Sequence, residues 1–221
     1  MSRRAVVFDL FGTLIDDSTP AEYAVLLRNV ADGLGVDPDA FAAAWSRHDI
    51  ARYTRPLAEC FAAVCADVGV SDAKRMDEAL ELRREHLRRI LVPRPDGVQT
   101  LAELRGRGLA LGMISNASSE LSALWAESAF VGLFDAALFS ADELMMKPDP
   151  RIYLRMAELL GVEPEQCTFV GDGAYRELQG AEEVGMTAVL IRVPHDEWEH
   201  DGTIGWTGTR VSSLSEVLAL V

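Results

Sequence analysis

Short apolar runs at residues 5–8, 109–114, 136–139, 168–170 and 187–191 alternate through most of this chain with stretches of helical character at 97–107, 118–128, 149–160 and 177–184. A continuous apolar run of this length, without polar alternation, suits a strand buried on both faces of a parallel sheet. Helices between such strands imply right-handed crossovers and therefore an α/β fold with a doubly wound, Rossmann-like parallel sheet. The pattern is broken once. Between the first run and the second, residues 17–92 contain no strand candidate and read as helices at 20–34, 38–53, 56–68 and 71–91. Pro38, Pro56 and Ser71 mark starts, and Gly35 and Gly69 mark stops. The expected organisation is an α/β core of residues 1–16 and 93–221, with an all-helical segment, 17–92, inserted after the first strand. Pro93-Arg-Pro-Asp-Gly97 supplies the return linker, because paired prolines and a glycine cannot continue a helix.

A chain of 221 residues that is 49% apolar can bury a sizeable core. Its formal charge of −14 opposes sequence-independent binding to nucleic acid or to anionic lipid, both of which require a basic surface. Any phosphate must therefore meet a local positive site. Cys60, Cys65 and Cys167 are odd in number and lack metal-ligand spacing, so buried, unpaired thiols are expected. No apolar stretch approaches the roughly 20 residues that span a bilayer. Met-Ser-Arg-Arg leads straight into the first apolar run, without a secretory segment. A cytoplasmic protein, monomeric or homodimeric, with a small-molecule substrate and neither a nucleic-acid nor a membrane partner, is the expectation.

In a parallel α/β sheet, functional groups gather beyond the carboxyl ends of the strands. Asp9 follows the first run, Ser115 the second, and Asp172 the run ending at Val170, while Lys147 stands before the helix at 149–160. These residues, remote in sequence, are expected to converge as one nucleophile, one hydroxyl, one cation and one further acid.

The four stretches Asp9-Leu-Phe-Gly12-Thr13, Ser115-Asn116, Lys147-Pro148 and Gly171-Asp172-Gly-Ala-Tyr-Arg-Glu177 are each weak signals alone. In this order and at these separations the chain resembles the haloacid dehalogenase superfamily of hydrolases over essentially its whole length. The resemblance implies an aspartate nucleophile, a covalent aspartyl intermediate, a helical cap closing over the substrate and, in most members, Mg²⁺. Asp9, the backbone carbonyl of Phe11, Asp172 and Glu177, the last directly or through water, would hold the ion; hard oxygen ligands suit it. Lys147 would neutralise Asp9 and the phosphoryl oxygens, Ser115 and the Asn116 amide would bind those oxygens, and Thr13 would support the loop. Gly12 permits the sharp turn after the strand. Arg52 and Arg55, in the helical segment, are the candidates for a further substrate contact.

Phe11 departs from the commonest phosphatase pattern. In those relatives a second aspartate stands two places after the nucleophile and moves the leaving-group proton, a contribution of ~10²–10⁴ in rate. A phenyl ring can do neither. Relatives that dehalogenate 2-haloacids place an aromatic residue here, because halide leaves without a proton and no metal is needed, and Tyr153 also matches them. Gly171-Asp172-Gly173 points the other way, since those dehalogenases typically carry Ser and Asn in this loop. The first reading is thus a magnesium-dependent phosphatase acting on a small phosphorylated metabolite. A metal-independent 2-haloacid dehalogenase is the alternative, and a non-catalytic or regulatory binding protein on the same fold is the second.

Three further features read as structural. Arg83-Arg84 and Arg88-Arg89, interleaved with Glu81, Glu85 and His86, suggest an exposed salt-bridged helix face. His195-Asp-Glu-Trp-Glu-His200 suggests a polar loop, and Phe41, Trp45 and Phe61 suggest core positions of the helical segment.

Overall fold

The run Ala5–Phe8 forms β1, whose alternate side chains enter opposite apolar layers: Val6 and Phe8 pack into one, Ala5 and Val7 into the other. Burial on both faces is why the run is continuously apolar. The computed structural model describes residues 4–221, so residues 1–3 of the expected core segment lie outside the described residues. β1 is joined by β2 (Ala110–Ser115), β3 (Ala136–Phe139), β4 (Cys167–Gly171), β5 (Thr187–Ile191) and β6 (Thr209–Val211). All pairings are parallel, in the order β3-β2-β1-β4-β5-β6.

β6 was not expected. Its three residues, Thr209, Arg210 and Val211, form a short edge strand with only Val211 buried, so they carry no apolar run to detect.

Between β1 and β2 the chain forms α1 (Pro20–Leu34), α2 (Pro38–Arg47), α3 (Asp49–Thr54), α4 (Leu57–Asp67), α5 (Ala73–Ile90) and α6 (Gly97–Gly106). The remaining helices are α7 (Ser119–Trp125), α8 (Ser140–Glu143), α9 (Pro150–Leu160) and α10 (Glu177–Glu183). Leu101 and Leu104 of α6 and Leu121 and Leu124 of α7 pack on the Phe8 side of the sheet; Ile152 and Met156 of α9 and Leu178 of α10 pack on the Val7 side. The sheet is therefore doubly wound.

Helices α1–α5 enclose a separate apolar cluster that includes Val30, Leu34, Phe41, Trp45, Phe61 and Val64. Thr19 and Glu22 form a capping box at the start of α1, and Gly35 at φ 68° closes it. Two expectations change here. The helix expected at 38–53 breaks at His48 (φ −101°, ψ 18°), whose ring reaches Asp67 at 3.2 Å; the new direction of α3 lays Arg52 over the Trp45 ring at 4.0 Å. The last helix starts after Asp72 instead of at Ser71, because the Asp72 carboxylate accepts from the Lys74 and Arg75 amides at 3.0 and 3.3 Å. Cys60, Cys65 and Cys167 are buried and form no disulfide among the described residues. Among the described residues no helix is long and apolar enough to cross a membrane.

Candidate active site

Register places the candidate groups at one height. Phe8 lies opposite Met113 on β2 and Val170 on β4, and the Asp9 amide extends the ladder by donating to the Val170 carbonyl at 2.9 Å. Asp9 and Asp172 thus emerge side by side where the strand order reverses direction, the usual crevice of such sheets. Beyond Asp9 the amides of Thr13, Leu14 and Ile15 all converge on the Leu10 carbonyl, and buried Leu10, Leu14 and Ile15 anchor this loop in the core. Gly12 turns it at φ 68°, and a Cβ added there would lie 2.3 Å from Asp172 Oδ2. Glycine at this position satisfies both the left-handed backbone and the approach of Asp172. Gly12, expected among the substrate contacts, packs directly against Asp172.

Asp9, Asp172 and Glu177 are buried, with one carboxylate oxygen of each within 4.8 Å of the others. Lys147 lies between two of them: its ammonium donates to Asp9 Oδ1 and, at 2.5 Å, to Glu177 Oε2. Thr13 Oγ1 donates to Asp9 Oδ2 at 3.1 Å, fixing the carboxylate plane. Asn116 holds the lysine loop: its side-chain amide donates to the Lys147 carbonyl at 3.0 Å, and its carbonyl oxygen accepts from the Lys147 amide at 2.8 Å. Glu177 is tied down by the Gly173 amide at 3.1 Å, and Tyr153 supports that helix start by donating to the Glu177 backbone carbonyl at 2.8 Å. Tyr153 is buried and acts through this contact. Ser115 Oγ, at the end of β2, is buried and has no hydrogen-bond partner among the described residues.

Burial pushes the Asp9 carboxyl upward, and repulsion from Asp172 adds to this against the pull of Lys147. Glu177 is raised well above the ordinary carboxylate range, by burial first and then by Asp9. Burial opposes charge on Asp172 as well, but the His200 ring, 2.9 Å from Oδ2, holds its carboxyl below the ordinary value. Burial likewise opposes charge on Lys147, and the two adjacent carboxylates outweigh it and hold the ammonium above its usual range. Lys147 serves Asp9 and Glu177, and the His200 ring serves Asp172, so the three carboxyl groups of this pocket share two basic groups. Its donor set, all hard oxygens, fits a small divalent cation.

The acidic group floors a cavity of about 580 Å³ between the sheet and the helical insertion. Phe11 and Asn116 line it from the core, Tyr23, Trp45 and Arg52 from α1–α3, and Arg83 and His86 from α5. Arg52 is buried, bonded to Asp49 at 2.6 Å and to the Trp45 carbonyl. Arg55 is exposed at the end of α3, where the chain turns extended (φ −144°, ψ 163°), and is not among the residues lining the cavity.

Sequence reasoning also missed residues. Arg84 and Arg88 do form the expected exposed face, pairing with Glu81 at 3.0 and 2.8 Å. Arg83 instead turns inward, buried against Glu120 of α7 at 3.2 Å and over the Trp45 ring at 4.4 Å. One residue step along α5, about 100° of helix rotation, separates inward Arg83 from outward Arg84, a signal the helical period carries. His200 and Trp198, read as parts of a polar loop, reach the cavity: His200 meets Asp172, and the Trp198 indole donates to the Ser18 carbonyl at 2.6 Å. Arg94, buried in the return linker, pairs with Asp16 at 2.8 Å and Asp196 at 3.0 Å and so ties that loop to the loop after β1. No local pattern marks these long-range pairs.

The profile of the haloacid dehalogenase-like hydrolases matches residues 3–185. The chain is 31% identical over 237 aligned positions to (S)-2-haloacid dehalogenase 4A of Burkholderia cepacia, covering 100% of this chain and 95% of that one. It is 33% identical over 207 positions to a phosphatase of Mycobacterium tuberculosis, covering 86% and 88% respectively. The crystal structure of a 2-haloacid dehalogenase from Pseudomonas syringae superposes with a TM-score of 0.72 at 23% identity, covering 99% of this chain and 97% of that one, a likeness of fold.

Proposed function

Because this chain belongs to the haloacid dehalogenase-like hydrolase family, we propose that it is a magnesium-dependent phosphatase of small phosphorylated metabolites, with Asp9 as nucleophile. The observation that carries this reading is the buried group of Asp9, Asp172 and Glu177 around a single lysine. Displacement of halide does not call for the second and third carboxylates, and buried acids without a cation are costly. Asp9, the Phe11 carbonyl, Asp172 and Glu177 would hold the ion. When bound, it supplies positive charge against the repulsion between a carboxylate and phosphoryl oxygens.

The chain's own groups do the rest. Thr13 and Lys147 each bond one oxygen of Asp9 and so hold its carboxylate oriented for attack on phosphorus. Lys147, the Ser115 hydroxyl and the Asn116 amide stabilise the phosphoryl oxygens as charge moves onto them. The aspartyl phosphate is then cleaved by water. The helical segment 17–92 acts as a cap: its Trp45, Arg52 and Arg83 roof the cavity, choose the substrate and limit the water that enters.

A second reading, 2-haloacid dehalogenation by the same Asp9, is favoured by Phe11 and by the similarity to the Burkholderia enzyme. A panel of phosphate esters and 2-haloacids, run with magnesium and after full chelation, separates the two. Phosphate release that survives chelation sinks the metal-dependent reading. Chloride release from a 2-haloacid, with no phosphate release, establishes the rival.

A further inference from the structure

A phosphatase site with Phe11 in place of an acid still needs a proton for an alkoxide leaving group, and the cavity wall holds several ionisable groups. Most are committed. Lys147 is fixed between Asp9 and Glu177, and His200 is bound to Asp172. The His86 ring is held between Ser18 Oγ at 2.7 Å and Arg89 at 2.9 Å, and burial keeps its pKa below the usual value, so it is a poor proton donor. Asp49 is shared by Arg52 and the Tyr175 hydroxyl. The Tyr53 hydroxyl is pushed up to about 12 by burial. Arg52 and Arg83 do not release protons. Glu199 and Asp201 lie on the C-terminal loop, where, among the described residues, no hydrogen bond or ion pair fixes either carboxylate.

Asp17 is different. It lies in the loop that leads from β1 into α1, lining the cavity together with Asp9, Phe11 and Asp172. The Ser18 amide donates to its Oδ1 at 2.7 Å, and among the described residues no hydrogen bond reaches Oδ2. Ser18 is itself buried, fixed through its hydroxyl to His86 and through its carbonyl to the Trp198 indole. Asp17 is exposed at the cavity mouth, which gives a route for proton exchange, and the Ser18 bond holds its carboxylate on the cavity side.

We propose that Asp17 is the general acid and base of this site, the role that Phe11 cannot fill. The assignment rests on the phosphatase reading above. As Asp9 attacks phosphorus and the P–O bond to the leaving group breaks, the Asp17 carboxyl gives its proton to the departing oxygen, yielding an alcohol, aspartyl phosphate and the Asp17 carboxylate. A water then attacks phosphorus and passes one proton to Asp17 as the bond to Asp9 breaks. Phosphate leaves as HPO₄²⁻, and both aspartates return to their starting states. Protonation at rest suits the setting: crowding by protein, then the charges of Asp172 and Asp9, lift the Asp17 carboxyl to about 7, against the Ser18 amide. The charged groups facing it are Asp9 after β1, Asp172 after β4 and His200 from the C-terminal loop.

The test compares wild type, Asp17→Asn, and Asp17→Asn combined with Phe11→Asp, on an alkyl phosphate and on p-nitrophenyl phosphate with magnesium. Asparagine keeps the oxygen that accepts from Ser18, so the loop retains its hydrogen bond. Asp17→Asn should lower kcat on the alkyl phosphate by ~10²-fold or more, spare the initial burst of nitrophenolate, and abolish the decline of alkyl phosphate turnover above about pH 7. Phe11→Asp should restore alkyl phosphate turnover in that background. Equal losses on both substrates, no loss on either, or failure of Phe11→Asp to rescue overturns the assignment. A wild-type protein that releases phosphate from neither ester overturns the phosphatase reading, and this assignment with it.

Discussion

Replacing Lys147 with methionine removes the ammonium that lies between Asp9 and Glu177 while keeping most of the side chain's volume. The lysine and Glu177 side chains are each 1% exposed, and Asp9 is 8% exposed, so solvent cannot take over the lost contacts. At the 2.5 Å separation from Glu177, the attraction is about 7 kcal/mol at an effective dielectric near 20. Desolvation of the ammonium offsets several kcal/mol of this, and removal of one partner from a buried pair leaves a net loss of ~3–5 kcal/mol. The loss depends on pH with a defined sign. Asp9 and Glu177 have folded-state pKa values above their unfolded ones, and both rise further without the lysine. A carboxyl of that kind contributes stability that is fully present below its unfolded pKa and is lost as pH rises through its folded pKa. The Lys147→Met deficit should therefore be small at acid pH, where both carboxyls are protonated, and grow as pH rises through their raised folded-state values. Urea unfolding in chelator, with the m-value compared between proteins, measures it. A deficit under about 1 kcal/mol at higher pH, or one that does not change with pH, refutes the placement of Lys147 as the counter-charge of this pocket.

Two further outcomes follow from the same geometry. Gly12→Ala introduces a Cβ 2.3 Å from Asp172 Oδ2 on a backbone at φ 68°, so it should cost ~1–2 kcal/mol and weaken magnesium affinity roughly tenfold or more; unchanged affinity by calorimetry contradicts this. Magnesium at ~100 times its Kd should stabilise the protein by ~2.7 kcal/mol, a rise in Tm of about 5–10 °C for a chain of this size, and Asp172→Asn should abolish most of that rise in a thermal scan.

Continuous apolar runs made the first five strands legible, because burial on both faces leaves little room for polar residues. The strand ends then located Asp9, Ser115 and Asp172, and the glycine at 12 located a turn whose tightness only the neighbouring Asp172 explains. What escaped depends on partners far along the chain. Arg83 is distinguished from Arg84 by facing Glu120, thirty-seven residues away, and His200 by meeting Asp172. The break at His48 has no proline or glycine to mark it and coincides with the ring's contact with Asp67 at the end of α4. β6 shows only three residues, two of them exposed at an edge. Asp17 carries no motif at all; its character comes from the cavity it faces.

The most direct measurement of the account is chemical trapping of the intermediate. Protein mixed with a phosphate ester and magnesium, quenched and reduced with borohydride, should yield homoserine in place of aspartate at position 9 by peptide mass spectrometry, and none after chelation or in Asp9→Asn. Homoserine at position 9 formed from a 2-haloacid without metal, and not from any phosphate ester, would contradict it.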